Sequence, residues 1–356
     1  MKADTLSRKI ADISRLNAYS RPQKIRGAIK LDSNENFVID RRLLARAVIR
    51  AAKSVDIREY PIDELDSLQK HLSKYVAVKQ SCIAVGNGSD QIIELLLSTL
   101  GHKRATVFSP TFSYFINRCA LHGIKVDEVP LRRDFSLNVD DFIKGASRSD
   151  MLYLCSPNNP TGNQFEDRSV ISVLDSVQEN TLVIIDEAYV DFSDHSMSKE
   201  AISRKNVVVL RTLSKAFGLA GARVGYMIAN EQFANAFRTV MQSPYPISSL
   251  SLVIAASVLD NIRLVRNSTE SIVRERKRIM QRLAEIPKVM AYRSDANFIF
   301  LETGDNYKAI GQAFAKKSIL VKMLGNVAGH HGCMRVTIGT SEVNDLFLDC
   351  IEAGCA

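Results

Sequence analysis

Lys215 stands between Ser214 and Ala216 in the run Arg211-Thr-Leu-Ser-Lys-Ala-Phe-Gly-Leu-Ala-Gly-Ala-Arg223. A lysine in an apolar setting holds its ammonium poorly, so its pKa falls and its amine can form a Schiff base with a carbonyl. Alone, such a lysine reads more simply as a surface residue of a loop. Upstream stand Asn159, in Ser156-Pro-Asn-Asn-Pro-Thr-Gly162, then Asp186 and Tyr189, in Asp186-Glu-Ala-Tyr189. The loop of two prolines and two asparagines is stiff, and its amide side chains can point at a ligand. Asp186 closes an apolar run, where a carboxylate without a cationic partner is costly. The successive gaps from Asn159 to Asp186, from Asp186 to Lys215 and from Lys215 to Arg223 are 27, 29 and 8 residues. Further upstream, Gly86-Asn-Gly-Ser89-Asp90 opens an apolar helical stretch. Free amides at a helix start can hold an anion, although a plain capped turn has the same residues. The segment has neither the dinucleotide fingerprint Gly-x-Gly-x-x-Gly nor a P-loop lysine.

The elements that must position these groups follow from the apolar pattern. Cys82–Val85, Ala105–Ser109, Met151–Cys155, Leu182–Asp186, Val207–Arg211 and Arg223–Ala229 are short apolar runs without polar alternation. That pattern predicts strands buried on both faces. Amphipathic segments such as Ser89–Leu100 and Glu166–Gln178 lie between several of them. The alternation predicts an α/β domain with a mainly parallel sheet sandwiched by helices, whose ligands bind at the carboxyl ends of the strands. After Val253 the pattern changes to a long helix near Ile262–Leu283, a strand at Asn297–Glu302, a helix near Tyr307–Lys317, a strand at Met334–Ile338 and a last helix. This suggests a smaller α+β domain. The expected division is residues 1–50 as an N-terminal arm on the small domain, 51–260 as the large domain and 261–356 as the small domain.

Composition narrows the function classes. The 356 residues are 46% apolar and 24% charged, as in ordinary globular proteins. The net charge of +8 is spread along the chain, and the densest basic stretch, Arg274 to Arg278, reads as a solvated helix face. Neither nucleic acid nor a membrane is an expected partner, and no run reaches the length of a membrane span. The charged N-terminus has no signal-peptide core, which points to the cytoplasm. Six cysteines at no metal-ligand spacing are expected to be free thiols, and the adjacent His330 and His331 to be loop residues rather than ligands. No metal is expected.

Nine ordered motifs then carry a resemblance over nearly the whole chain. They are Leu31-Asp-Ser-Asn-Glu-Asn36, Glu59-Tyr-Pro61, Gly86-Asn-Gly-Ser-Asp90, Pro110-Thr-Phe112, Ser156-Pro-Asn-Asn-Pro-Thr-Gly162, Asp186-Glu-Ala-Tyr189, Thr212-Leu-Ser-Lys-Ala-Phe217, Pro244-Tyr-Pro246 and Met334-Arg-Val-Thr-Ile-Gly-Thr340. The sequence resembles the fold-type-I pyridoxal phosphate enzymes and, within them, the histidinol-phosphate aminotransferases. The resemblance implies pyridoxal 5'-phosphate as cofactor, with Lys215 as its Schiff-base lysine and proton shuttle. It implies that Asp186 faces the pyridine nitrogen, Asn159 and Tyr189 the ring oxygen, and Phe112 the ring face. The phosphate would meet Ser89, Asp90, Thr212, Ser214 and Arg223, together with Tyr60 from the neighbouring subunit of a homodimer with shared sites. Substrate would meet Tyr19, Asn34, Lys322 and Arg335. Arg335 matches the carboxylate-binding arginine, and Lys322 falls where many of these enzymes carry arginine. Phe37 stands where relatives often have proline. The expected reaction is transamination between histidinol phosphate and 2-oxoglutarate. The alternatives are a decarboxylase acting on a phosphorylated amino acid, or an aminotransferase for aromatic or other amino acids. A ligand-sensing module fused to a DNA-binding domain is disfavoured by Lys215 and by the lack of a preceding winged-helix segment.

Overall fold

The computed structural model of the chain describes residues 2–16 and 25–355. Twelve strands run through the described residues: β1 (Ile29–Leu31), β2 (Ile83–Asn87), β3 (Arg104–Ser109), β4 (Lys125–Pro130), β5 (Met151–Cys155), β6 (Leu182–Asp186), β7 (Val207–Thr212), β8 (Val224–Ile228), β9 (Met290–Ala291), β10 (Phe298–Glu302), β11 (Ile319–Val327) and β12 (His330–Thr337). Seven of them form a large sheet in the order β2-β8-β7-β6-β5-β3-β4. All its pairings are parallel except those of β8, which is antiparallel to both β2 and β7.

The central strands are apolar on both faces because both faces are covered. Leu152, Leu154, Val183, Ile185, Val207 and Val209 belong to one buried cluster. Met151, Tyr153, Ile184, Val208 and Leu210 belong to another on the opposite face. Strand side chains alternate between faces, so a run that feeds two cores shows no polar period. Edge strand β4, Lys-Val-Asp-Glu-Val-Pro, is half polar, and its composition hides it among loops.

The remaining five strands form a second sheet in the order β1-β11-β12-β10-β9. Its members come from both ends of the chain, since β1 pairs in parallel with β11. The helix Arg41–Ser54 runs through the boundary expected at residue 50 and packs against the helix Ser249–Leu259. The expected solvated face at Arg274–Arg278 is corrected at one position. Arg276 is buried and donates to the carbonyls of Phe192 and Ala296 at 3.2 and 2.8 Å. His330 is likewise no loop residue. It opens β12, buried, with Nδ1 2.8 Å from Glu302 Oε2 and from the Tyr292 hydroxyl. All six cysteines are free. Among the described residues no helix is long and apolar enough to cross a membrane.

Candidate active site

The carboxyl ends of β5, β6 and β7 open into one cavity, lined by Ser89, Asp90, Phe112, Asn159, Asp186, Tyr189, Thr212, Ser214, Lys215, Arg223, Asn34, Lys322 and Arg335. Thirteen of the residues expected from the sequence thus share a single cavity. Asp186 is the last residue of β6, and Lys215 lies three residues beyond β7. Arg223 reaches the same edge from the next strand: it immediately precedes β8. Because β8 runs antiparallel to β7, its amino end lies where the carboxyl ends of its neighbours lie. Arg223 adopts a left-handed backbone, φ 56°, at this turn.

Asp186 is almost fully buried, accepting from the Tyr153 hydroxyl at 2.7 Å and the Ala188 amide at 3.1 Å. Burial pushes its carboxyl up to about 6, against the pull of those two donors. Lys215 Nζ donates to the Ser33 carbonyl at 3.1 Å and lies 5.6 Å from the centre of the Tyr189 ring. Burial, and then the nearby Arg335 charge, lower its pKa to about 8. This lysine therefore has an appreciable neutral fraction near neutral pH, as a nucleophile or general base requires.

Asn159 and Tyr189 both line the cavity but do not bond each other. Asn159 Oδ1 accepts from Arg335 Nη1 at 2.5 Å, and the Tyr189 hydroxyl accepts from Asn34 Nδ2 at 3.0 Å. Arg335 Nη2 donates to the Asp32 carbonyl at 2.8 Å. Lys322 and Arg335 are cross-strand partners on β11 and β12, so the hairpin presents two cations to one mouth. Tyr60 does not line this cavity in its own chain. It is 73% exposed and stacks on Tyr245 with ring centres 4.4 Å apart. Tyr19 lies outside the described residues. Asp32, Ser33, Tyr114 and Cys155 also line the cavity, and no separate signal in the residue pattern marks them. Tyr153 reads as one more core aromatic in an apolar strand.

The anion end of the cavity is built by close approach. The helix Gly88–Thr99 starts against β8, and a side chain at Gly225 would meet the Ser89 nitrogen at 2.2 Å. Gly88, at φ +74°, leaves room for the Arg223 guanidinium, which a Cβ would approach to 2.5 Å. Arg223 Nη2 is held by Asp90 Oδ2 at 3.0 Å.

The class I and II aminotransferase family matches residues 26–351. Over 325 residues, 91% of each chain, the sequence is 36% identical to histidinol-phosphate aminotransferase of Pyrococcus furiosus. The structure superposes on the crystal structure of Sinorhizobium meliloti histidinol-phosphate aminotransferase in complex with pyridoxal-5'-phosphate. There the TM-score is 0.85 and the identity 23%, over 96% of each chain. It also superposes on L-threonine-O-3-phosphate decarboxylase from Porphyromonas gingivalis, with TM-score 0.78 and 21% identity over 91% of this chain and 98% of that one. The chain belongs to the class I and II aminotransferases and, within them, to the histidinol-phosphate aminotransferases.

Pyridoxal 5'-phosphate is the cofactor, and the residues present fit it. Ser214 Oγ is buried without a hydrogen-bond partner among the described residues, at the anion end beside Thr212 and Arg223. A buried hydroxyl left in that state is costly unless a ligand completes it. Asp186 offers a buried acceptor for a protonated ring nitrogen, Lys215 a buried amine and Phe112 a flat apolar face in the same cavity.

Proposed function

We propose that this chain transfers an amino group between histidinol phosphate and 2-oxoglutarate. The observation that carries the reading is the convergence of a depressed-pKa Lys215, a buried Asp186 and the paired cations Arg335 and Lys322 on one cavity. When bound, the cofactor would supply an electron-withdrawing ring able to take up the electron pair left when the amino substrate loses the proton beside its amino group. Lys215 holds the cofactor and moves the proton at the substrate α-carbon, a task its lowered pKa suits. Asp186 would accept from the ring nitrogen and keep it protonated. Asn159 and Tyr189 would hold the ring oxygen, and Phe112 would supply a flat apolar face for the ring. Arg335 takes the substrate carboxylate through its planar fork. Lys322 neutralises the distal phosphate as a point charge, and Tyr19 and Asn34 complete the substrate side. Ser89, Asp90, Thr212, Ser214 and Arg223 hold the cofactor phosphate through amides, hydroxyls and a guanidinium.

The working unit in this reading is a cytoplasmic homodimer in which Tyr60 reaches the partner's cofactor phosphate. Its support is the outward-facing stack of Tyr60 on Tyr245, beside Ile57 and Ile62, which are 78% and 68% exposed. Sedimentation equilibrium should give a dimer, and Tyr60→Phe should weaken cofactor retention; a monomer with full activity would contradict this.

Decarboxylation of a phosphorylated amino acid is the second reading, favoured by the similarity in fold to the P. gingivalis decarboxylase. The sequence relatives at 32–36% identity carry the aminotransferase name and favour transfer. Side-by-side kcat/KM values for histidinol phosphate and for unphosphorylated aromatic amino acids test the substrate. Preference for an unphosphorylated amino acid would overturn the substrate and leave amino transfer standing.

A further inference from the structure

Tyr153 lies behind the cavity, fully buried, and no part of the mechanism above uses it. In the parallel β5–β6 register Tyr153 is opposite Ile184, and Cys155 is opposite Asp186. All four side chains therefore project from the same face of the sheet. The phenol reaches along that face, and its hydroxyl meets Asp186 Oδ2 at 2.7 Å. Among the described residues it is the one side chain that donates to this carboxylate. Its ring is clamped against Phe115, with centres 4.0 Å apart and planes 12° from parallel.

We propose that Tyr153 is a positioning residue for the reaction, a fixed donor that holds Asp186 ionised and oriented to receive the cofactor's protonated ring nitrogen. The inference rests on the cofactor role given to Asp186 above. Its physical basis is the accounting for a buried charge. Among the described residues Asp186 has no cationic partner, and a carboxylate in that setting needs donors to stay charged. The groups around it worsen the problem: Asp90 at the head of the helix Gly88–Thr99 and Glu187 next in the chain both disfavour its ionisation. Asp90 is in turn held by Arg223 and Glu187 by Arg211. The other titratable neighbours, Cys155 on β5 and Tyr189, are neutral, with thiol and phenol pushed up by burial. Tyr153 itself stays a donor, because burial and the Asp186 charge push its ionisation far above the usual phenol range. A phenylalanine would fill the same apolar space, so the hydroxyl is the part that packing does not explain.

The test is the pH dependence of pyridoxal 5'-phosphate affinity for the full-length protein, followed by cofactor absorbance in a titration of the cofactor-free form. Wild-type affinity should weaken as pH falls and Asp186 protonates. In Tyr153→Phe the midpoint of that loss should move up by about one pH unit, since a lost charge-assisted hydrogen bond raises a carboxyl by that order. Phe115→Leu, which disturbs the stack and keeps the hydroxyl, should leave the midpoint in place. A 3-fluorotyrosine at position 153, a stronger donor with the same packing, should move it down, and this variant decides the matter if Tyr153→Phe folds poorly. Wild-type protein that binds no cofactor would overturn the proposed function and this inference together. Bound cofactor with the same midpoint in the fluorotyrosine protein and in Tyr153→Phe would overturn this inference alone.

Discussion

Asp186, Tyr189 and Lys215 lie within 29 residues of one another and hang from two adjacent strands of one buried sheet. Asn34, Lys322 and Arg335, on the proposed substrate side, come from opposite ends of the chain. The Asn34 amide donates to Thr337 Oγ1 across 303 residues, and β1 joins β11 in the small sheet. The cofactor side is thus held by local strand ends, whereas the substrate side exists only once the termini have met. A fold of this kind can keep one chemistry on its rigid floor and change substrate through a few residues of the hairpin and the arm.

Substitutions on the floor should therefore stop turnover, and substitutions on the substrate side should retune it. Lys215→Ala should abolish amino transfer while the far-ultraviolet circular dichroism stays native. Borohydride reduction of the wild type should label Lys215, and a label on another lysine would break the assignment. Asp186→Asn keeps the shape and loses the charge, and should cost several orders of magnitude in kcat. Near-normal turnover would remove the ring-nitrogen role.

On the substrate side, Arg335→Ala should impair the glutamate half-reaction. Lys322→Ala should raise KM for the phosphorylated substrate and leave that for glutamate little changed. Each loses a hydrogen bond to a charged group, about 1.5–3 kcal/mol, or roughly tenfold to a hundredfold. Equal losses for both substrates in both variants would erase the proposed division of labour.

The last effect is one of stability rather than turnover. Lys215 titrates at about 8 in the folded protein instead of 10.5, so the unfolded chain binds the extra proton between those values. Wild-type stability without cofactor should rise as pH climbs from about 8 to 10.5, by about 3 kcal/mol. Lys215→Met should flatten that rise, which urea unfolding at pH 7 and pH 10.5 would measure.

The contrast between the two sides also explains what could be read from residues alone. Met151–Cys155 and Leu182–Asp186 match β5 and β6 to the residue, because an apolar run feeding two cores has sharp polar ends. Asp186, Lys215 and Asn159 stand at or just beyond such ends. By contrast, β11 was not legible. Ile319–Val327 is half-exposed, irregularly paired with β12 and mixed in composition, yet it carries Lys322. The direction of β8 was hidden as well, since a buried strand reads the same in either orientation, and only the antiparallel pairing brings Arg223 to the cavity edge. Tyr153 was silent because its hydroxyl matters only through a neighbour 33 residues away.

The central claim is amino transfer with a phosphorylated partner. It is tested most directly by incubating the purified full-length chain with pyridoxal 5'-phosphate, histidinol phosphate and 2-oxoglutarate. Glutamate and the phosphorylated ketone are then quantified by mass spectrometry, and threonine phosphate is assayed in parallel for carbon dioxide release. The expected result is glutamate and ketone in equal amounts, with no carbon dioxide from threonine phosphate. Carbon dioxide release without glutamate formation would contradict the claim.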